Sequence, residues 1–200
     1  MRGAAIRPVP RYAVVGAATL EHIERELADD SPRARGELDE AFARFESTQP
    51  QLADAVSQLL SKPLDETALA LGYFLSIAIW LAFERTFGEA RLREVSEDAI
   101  AATEAAIKLE EELRADHGDE PLDLDDVVSI EQPNVLAFVH EHVDAALDPS
   151  ARAVQRGQGA DVDVEDVHAV YRAIVLLTLC LSHAVVPVDG AARGNVELMA

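Results

Sequence analysis

Histidine and carboxylate side chains occur close together on a predicted helix near residue 140. The cluster is His140-Glu141-His142, followed by Asp144. On a helix, His140 and Asp144 share one face at positions i and i+4, whereas His142 points away from it. This face offers two ligands to a metal ion, and a protein metal site needs three or more that converge. We therefore interpret the cluster as a solvated helix surface, with His140 and Asp144 as candidate ligands.

A second candidate pair is Glu165 and His168, which have the Glu-x-x-His spacing of di-iron carboxylate bundles. Such a site needs a second Glu-x-x-His pair and two further glutamates. The aligned positions elsewhere in the chain are Thr67 and Ala70, so the second pair is missing. Glu165 fits better as a charge in the first turn of its helix, where the helix dipole favours it. These two pairs are our candidate metal ligands, although we do not favour a metal and predict no cofactor.

Cys180 and His183 are spaced about one helical turn apart inside the last apolar segment. Such a pair could act as a nucleophile and its base, or as two metal ligands. We interpret it as a buried thiol and a histidine near a helix C-terminus, because no third group is identified that would orient the pair. The sequence also lacks phosphate-loop, dinucleotide-binding and nucleophile-elbow patterns. These observations favour a non-enzymatic protein.

The composition limits the class of partner. The chain has 200 residues, enough for one domain with a sizeable core, and 49% of them are hydrophobic. Its formal charge of −20 repels nucleic acid and anionic membrane surfaces, so we predict binding to neither. Cys180 is the single cysteine, which excludes an intramolecular disulfide and fits a reducing compartment. The apolar run Tyr12–Leu20 merges into a charged helix without a cleavage site, so we expect a cytoplasmic protein.

The uncharged run Thr67–Phe83 is the most apolar part of the chain. It shows no alternation of period two, so it predicts a helix, with Asp65 as its N-cap and Gly88 just beyond its end. A helix that is apolar on all sides is either the centre of a helical domain or a membrane span. The run reaches about 25 Å, less than the hydrocarbon core of a bilayer, and no basic cluster flanks it. We therefore predict a buried helix.

Helical periodicity in the rest of the chain predicts an all-α fold, a single bundle of about seven helices. We place an N-terminal arm at 1–18, the bundle at 19–187 and a tail at 188–200. Acidic and Gly-rich connectors at 119–126 and 148–160 interrupt the helices, with a short turn expected at 127–130. We predict Thr19, Ser31, Asp65, Ser96 and Asp163 as helix caps, with Pro32 as the first residue after Ser31. The dipeptides Gln49-Pro50 and Gln132-Pro133 open the two remaining helices.

Two parts of the bundle follow one pattern. Each begins with Gln-Pro, continues with an amphipathic helix and ends with a nearly all-apolar helix. Alignment of Pro50 with Pro133 matches the amphipathic helices, and alignment of Asp65 with Asp163 matches the apolar ones. We predict two helical hairpins, 49–87 and 132–186, that pack as a pseudo-twofold pair.

The pieces Gln49-Pro50, Ala82-Phe83-Glu84 and Gln132-Pro133 resemble a set of uncharacterised bacterial all-helical proteins. In those proteins a Gln-Pro-led helix precedes a long aliphatic helix that ends in Ala-Phe-Glu, and a second Gln-Pro helix follows. The resemblance covers most of residues 40–186. The resemblance implies the helical fold, and it carries no information about an activity.

Three functional hypotheses follow from these features. The first is a non-enzymatic helical module that acts through protein–protein contact, either with another protein or with a second copy of itself. The second is a metal- or small-ligand-binding helical protein that uses the four candidate ligands. The third is membrane association through the two apolar helices.

Overall fold

The computed structural model describes residues 5–27, 32–61, 64–117, 132–147 and 164–188. Within these ranges the protein is all-α, as the sequence predicts, with a single 3-10 turn at Arg11–Ala13 before the α-helices. In chain order the described helices are α1 Ala17–Leu27, α2 Pro32–Thr48, α3 Pro50–Leu60, α4 Glu66–Phe87, α5 Glu97–His117, α6 Pro133–Leu147 and α7 Val164–Ala184.

The central apolar run forms α4, with the predicted caps at both ends. The Asp65 side chain accepts hydrogen bonds from the backbone N–H groups of Thr67 and Ala68, at 2.7 and 2.9 Å. These bonds satisfy two amides that have no partner within the helix. Gly88 follows the helix with a φ of 70°, and its N–H donates to the Glu84 carbonyl at 2.7 Å. Glycine adopts this φ without the steric cost that a side chain would add.

The two long apolar helices, α4 and α7, pack against each other through the middle of the bundle. Gly72 lets α4 approach α3 closely, because a Cβ at this position would lie 2.7 Å from a methyl carbon of Leu60. Both Glu66–Phe87 and Asp166–Ala184 are long and apolar enough to cross a membrane, and 61% of each apolar window is buried inside the bundle. The core helices of a helical domain have this character as well.

The outer helices lie on the central pair in a crossed arrangement. α3 packs mainly on α7, and α6 packs on α4. α1 lies against α4 and α6, whereas α5 lies against α7 and α3. Each amphipathic helix of the two predicted hairpins therefore packs mostly on the long helix of the other hairpin.

Gln49, immediately before α3, is buried and binds a remote piece of backbone. Its side-chain oxygen accepts from the Val95 N–H at 2.8 Å, and its side-chain nitrogen donates to the Arg93 carbonyl at 3.0 Å. These two residues belong to the extended segment before α5. The glutamine thus satisfies backbone polar groups that would otherwise be buried without partners.

Gln132, immediately before α6, is buried and makes the same pair of bonds. Its side-chain oxygen accepts from the Val15 N–H at 3.1 Å, and its nitrogen donates to the Ala13 carbonyl at 2.7 Å. The same nitrogen also donates to the Ser182 hydroxyl at 3.0 Å. Here the bound backbone is the segment before α1. Each glutamine therefore binds the segment that leads into a helix remote in sequence, α5 for Gln49 and α1 for Gln132.

The segment before α1 packs against the bundle. Val9, Ala13 and Val15 are all buried. Helix α1 begins at Ala17, so Thr19, which we predict as its cap, lies inside its first turn. The backbone just before the helix is bound by Gln132 through the Val15 N–H.

The end of α7 is also displaced from its predicted position. The helix ends at Ala184 rather than near Val186, because the chain turns into a short antiparallel pairing between Leu92 and Val185. There the Val186 N–H donates to the Arg91 carbonyl at 2.8 Å. The predicted caps at 31 and 163, the connectors at 119–130 and 148–160 and the tail beyond 188 lie outside the described residues.

Candidate functional site

The four candidate metal ligands lie on two helices. His140 on α6 is half-buried, and its ring lies edge-on to Tyr171 of α7, with the ring centroids 6.5 Å apart. Asp144 on α6 and His168 on α7 are exposed. Glu165 belongs to α7, but its side chain lies outside the described part of the chain. Among the described side chains, no group of three or more His, Cys, Asp or Glu residues is arranged to hold a metal ion.

Cys180 and His183 line a cavity of about 390 Å³ between the end of α7 and the first turns of α5. Burial is the main reason that the pKa of the Cys180 thiol is raised to about 11; a hydrogen bond with Thr103 lowers this pKa to a smaller extent, and the nearby Glu104 carboxylate raises it. The thiol is therefore protonated at neutral pH, whereas a nucleophilic cysteine needs a lowered pKa. This geometry supports the interpretation of Cys180 as a buried small side chain.

A longer depression runs between α3 and α5. Its first part has a volume of about 580 Å³, and it continues into a second part of about 380 Å³ that reaches α7. Leu59 and Ala101 line both parts and connect them. We call this depression the α3–α5 groove, and its apolar surface is formed by Ala55, Leu59, Ile100, Ala101, Ala105 and Leu176.

Carboxylates surround the first part of the groove. Asp54 on α3 and both Glu97 and Glu104 on α5 line it, and none of its lining residues is basic. The Asp54 carboxylate accepts a hydrogen bond from the Gln58 side chain at 2.7 Å, which orients it on the α3 side. The apolar floor thus has an acidic rim on both walls.

The second part of the groove contains two cations, and each is paired with a glutamate. The Lys108 ammonium lies 3.9 Å from the Glu112 carboxylate, and the Arg172 guanidinium lies 3.4 Å from that of Glu111. These exposed pairs are weak, but they neutralise the basic charge at this end of the groove. The groove as a whole therefore presents an acidic surface to a partner.

The corresponding pair of helices is α1 and α6, and aromatic side chains occupy the matching positions there. Counted from the glutamine in front of each helix, Ala55 of α3 corresponds to Phe138 of α6, and Leu59 corresponds to His142. The Phe138 ring lies 4.3 Å from the His142 ring and 6.4 Å from Phe74 of α4, measured between centroids. We call this region the α1–α6 seam. At the matching position the groove has the methyl group of Ala55, whereas this region has the phenyl ring of Phe138.

The acidic residues of the two regions also correspond. Counted from Val15 and Val95, which the two glutamines bind, Glu24 of α1 matches Glu104 of α5. In the seam, Glu24 lies 3.7 Å from the His142 side chain. In the groove, Glu104 lines both parts of the depression beside the apolar surface.

Sequence reasoning did not identify the groove. Its lining consists of alanine, leucine and common acidic residues, which by themselves resemble an ordinary helix surface. The signal that could have found it is the contrast between Ala55 and Phe138 once the Gln-Pro helices are aligned. The small side chains Ala101 and Ala105, one turn apart on α5, point to the same surface.

Comparisons with known proteins give no information about the function of this chain. A scan against protein-family models, a search of curated proteins and a search of solved structures each find no match to this chain. The resemblance to uncharacterised bacterial helical proteins stays a prediction.

Proposed function

We propose that this protein is a non-catalytic helical module that binds a partner protein through the α3–α5 groove. An apolar groove with an acidic rim, which has Ala55 where the α1–α6 seam has Phe138, carries this proposal. The partner that fits is an amphipathic helix with apolar residues along one face and lysines or arginines beside them. Such a helix would bury its apolar face on the groove floor and place its cations against the rim.

The dimensions of the groove set the length of this partner helix. The lining residues of α5 extend from Glu97 to Lys108, a distance of about 17 Å along the helix axis. A partner of about three helical turns covers this length. Leu59 lies where the two parts of the groove join, so it would contact the central apolar anchor of the partner.

The charge of the whole chain favours a basic partner over a second copy. The sequence has 37 acidic and 17 basic residues, and the rim adds local negative potential. Opposite charge increases the rate at which a basic helix associates and selects against acidic competitors. Two copies of this chain would repel each other across the same rim.

We further propose that the hairpins 49–87 and 132–186 are copies of one duplicated unit. The equal bonding of Gln49 and Gln132 supports this proposal, since both glutamines bind an N–H and a carbonyl two residues apart before a helix. In this interpretation the groove is the copy that lacks the filling phenylalanine. In the same interpretation, the α1–α6 seam contributes to stability and the α3–α5 groove is free to bind.

The test uses a designed amphipathic helix of about three turns, with leucines on one face and lysines on the other. We expect micromolar binding that weakens as salt is added, because the rim charges are exposed. The variant Ala55→Phe should weaken binding at least about tenfold, since it places a ring where the partner would lie. The double variant Glu97→Gln/Glu104→Gln should also weaken it.

The matched control is Glu40→Gln/Glu46→Gln, which removes the same charge from an exposed face of α2. We expect this control to bind the lysine peptide as the unchanged protein does. Equal weakening by both double variants would show general charge attraction and would contradict the proposal. A dimer in light scattering that Ala55→Phe dissociates would assign the groove to a second copy and would also overturn it.

A further inference from the structure

The cavity that contains Cys180 and His183 is lined by arginines that have no carboxylate partner in the described part of the chain. Its volume is about 390 Å³, and two arginines line it, Arg7 from the segment before α1 and Arg93 from the segment before α5. We call this cavity the arginine pocket. Its apolar lining is formed by Val95, Ala99, Cys180, Val185 and Pro187.

The guanidinium groups of Arg7 and Arg93 have no ion pair within the described part of the chain. Elsewhere in the molecule Arg44, Arg85 and Arg172 are each paired with a glutamate. Arg7 and Arg93 are among several described arginines without such an ion pair, and these two line the same cavity. They leave guanidinium N–H groups available to a bound anion.

Neighbouring hydrogen bonds hold the walls of the pocket in place. A ring nitrogen of His183 lies 3.3 Å from the Arg7 carbonyl, which ties the N-terminal segment to the end of α7. The Arg93 carbonyl accepts from Gln49, and its N–H donates to the Ala184 carbonyl at 3.2 Å. Both arginines therefore extend from backbone that is fixed on the bundle, which lowers the entropic cost of binding.

We infer that the arginine pocket binds a small monocarboxylate with a short apolar body. Guanidinium groups bind carboxylates through paired N–H donors, and the apolar lining offers a surface for the rest of the ligand. The cavity volume lies at the lower end of the range of small-ligand sites, about 300–1,000 Å³. Glu94 also lines the cavity, and it disfavours ligands that carry a second negative charge.

The pocket is separate from the α3–α5 groove. It contacts the face of α5 that carries Ala99 and Thr103, whereas the groove contacts the face with Ile100 and Glu104. Ligand binding in the pocket therefore stands or fails independently of the proposed partner helix.

The test is an NMR titration of the full chain with butyrate and, in parallel, with uncharged butyramide. We expect butyrate to shift the backbone amide signals of Val95, Ala99 and Thr103 with a millimolar dissociation constant. Butyramide should bind at least about tenfold more weakly, because it lacks the charge that the arginines recognise. The variants Arg93→Gln and Arg7→Gln should each weaken butyrate binding by a similar factor.

The matched control is Arg25→Gln, which removes one exposed arginine from α1, away from the pocket. It should leave butyrate binding unchanged. Equal affinity for butyrate and butyramide, or equal weakening by Arg25→Gln and Arg93→Gln, would overturn the inference. Inorganic phosphate that binds more tightly than butyrate at the same amides would overturn the assignment to a monocarboxylate.

Discussion

The α1–α6 seam and the α3–α5 groove correspond to each other, because α6 aligns with α3 from the glutamine before each helix and α1 aligns with α5. In the seam, the Phe138 ring packs beside His142, whose side chain lies 3.7 Å from Glu24 of α1. In the groove, Ala55 and Leu59 occupy the matching positions and leave an apolar floor exposed beside Glu104. We infer from this difference that the side chain at this position, alanine or phenylalanine, governs how much apolar surface such a helix–helix junction leaves exposed.

The largest effect should come from opening the seam with Phe138→Ala. Phe138 is 5% exposed, so its removal leaves a cavity among the aromatic rings and should lower the free energy of unfolding by about 3–5 kcal/mol. Urea denaturation measures this loss. The reverse change in the groove, Ala55→Phe, should alter stability by less than about 1 kcal/mol, because its ring enters open space. Similar losses for both variants would show that the two regions do not differ in packing.

The next effect concerns the glutamines that anchor the two halves. Gln132→Leu leaves the Val15 N–H and the Ala13 carbonyl buried without partners and should cost about 2–4 kcal/mol. Gln49→Leu should cost about 1 kcal/mol less, because its bond to the Arg93 carbonyl is only partly buried. Thermal unfolding of both variants measures the order. A larger loss of stability for Gln49→Leu than for Gln132→Leu would contradict this prediction.

The smallest effect distinguishes the two central helices. Cys180 of α7 stands where α4 has Ala82, and burial raises the pKa of its thiol from 9.0 to about 11. Above about pH 9 the unfolded chain releases a proton that the folded protein retains. The stability that the neutral, buried thiol allows is therefore lost as the pH rises from about 9 to about 11. Across that range the unchanged protein should lose about 2 kcal/mol more than Cys180→Ala. Equal pH dependence in urea denaturation of the two proteins would contradict the buried, protonated thiol.

Local features of the fold could be predicted from the sequence, because they depend on neighbouring residues. Asp65 and Gly88 cap α4 as predicted, and Ser96 caps α5 by accepting from the Ala99 N–H at 3.3 Å. The crossed packing could not be predicted in the same way. Periodicity identifies the apolar face of a helix but does not say which other helix will cover it.

The candidate site shows the same limit. The pairs His140 with Asp144, and Glu165 with His168, follow from spacing along single helices, and spacing does not give the distance between helices. The groove required the opposite information, namely which residues of two remote helices meet and how large they are. Ala55 becomes informative only beside its counterpart Phe138.

The hydrogen bonds that Gln49 and Gln132 make to remote backbone have a consequence for synthesis on the ribosome. The segment Ala13–Val15 emerges early, but the side chain that binds its backbone belongs to Gln132 and emerges much later. A nascent chain that ends after α4 therefore still lacks the side chain that binds the segment before α1, so this segment completes its contacts only once Gln132 has been made.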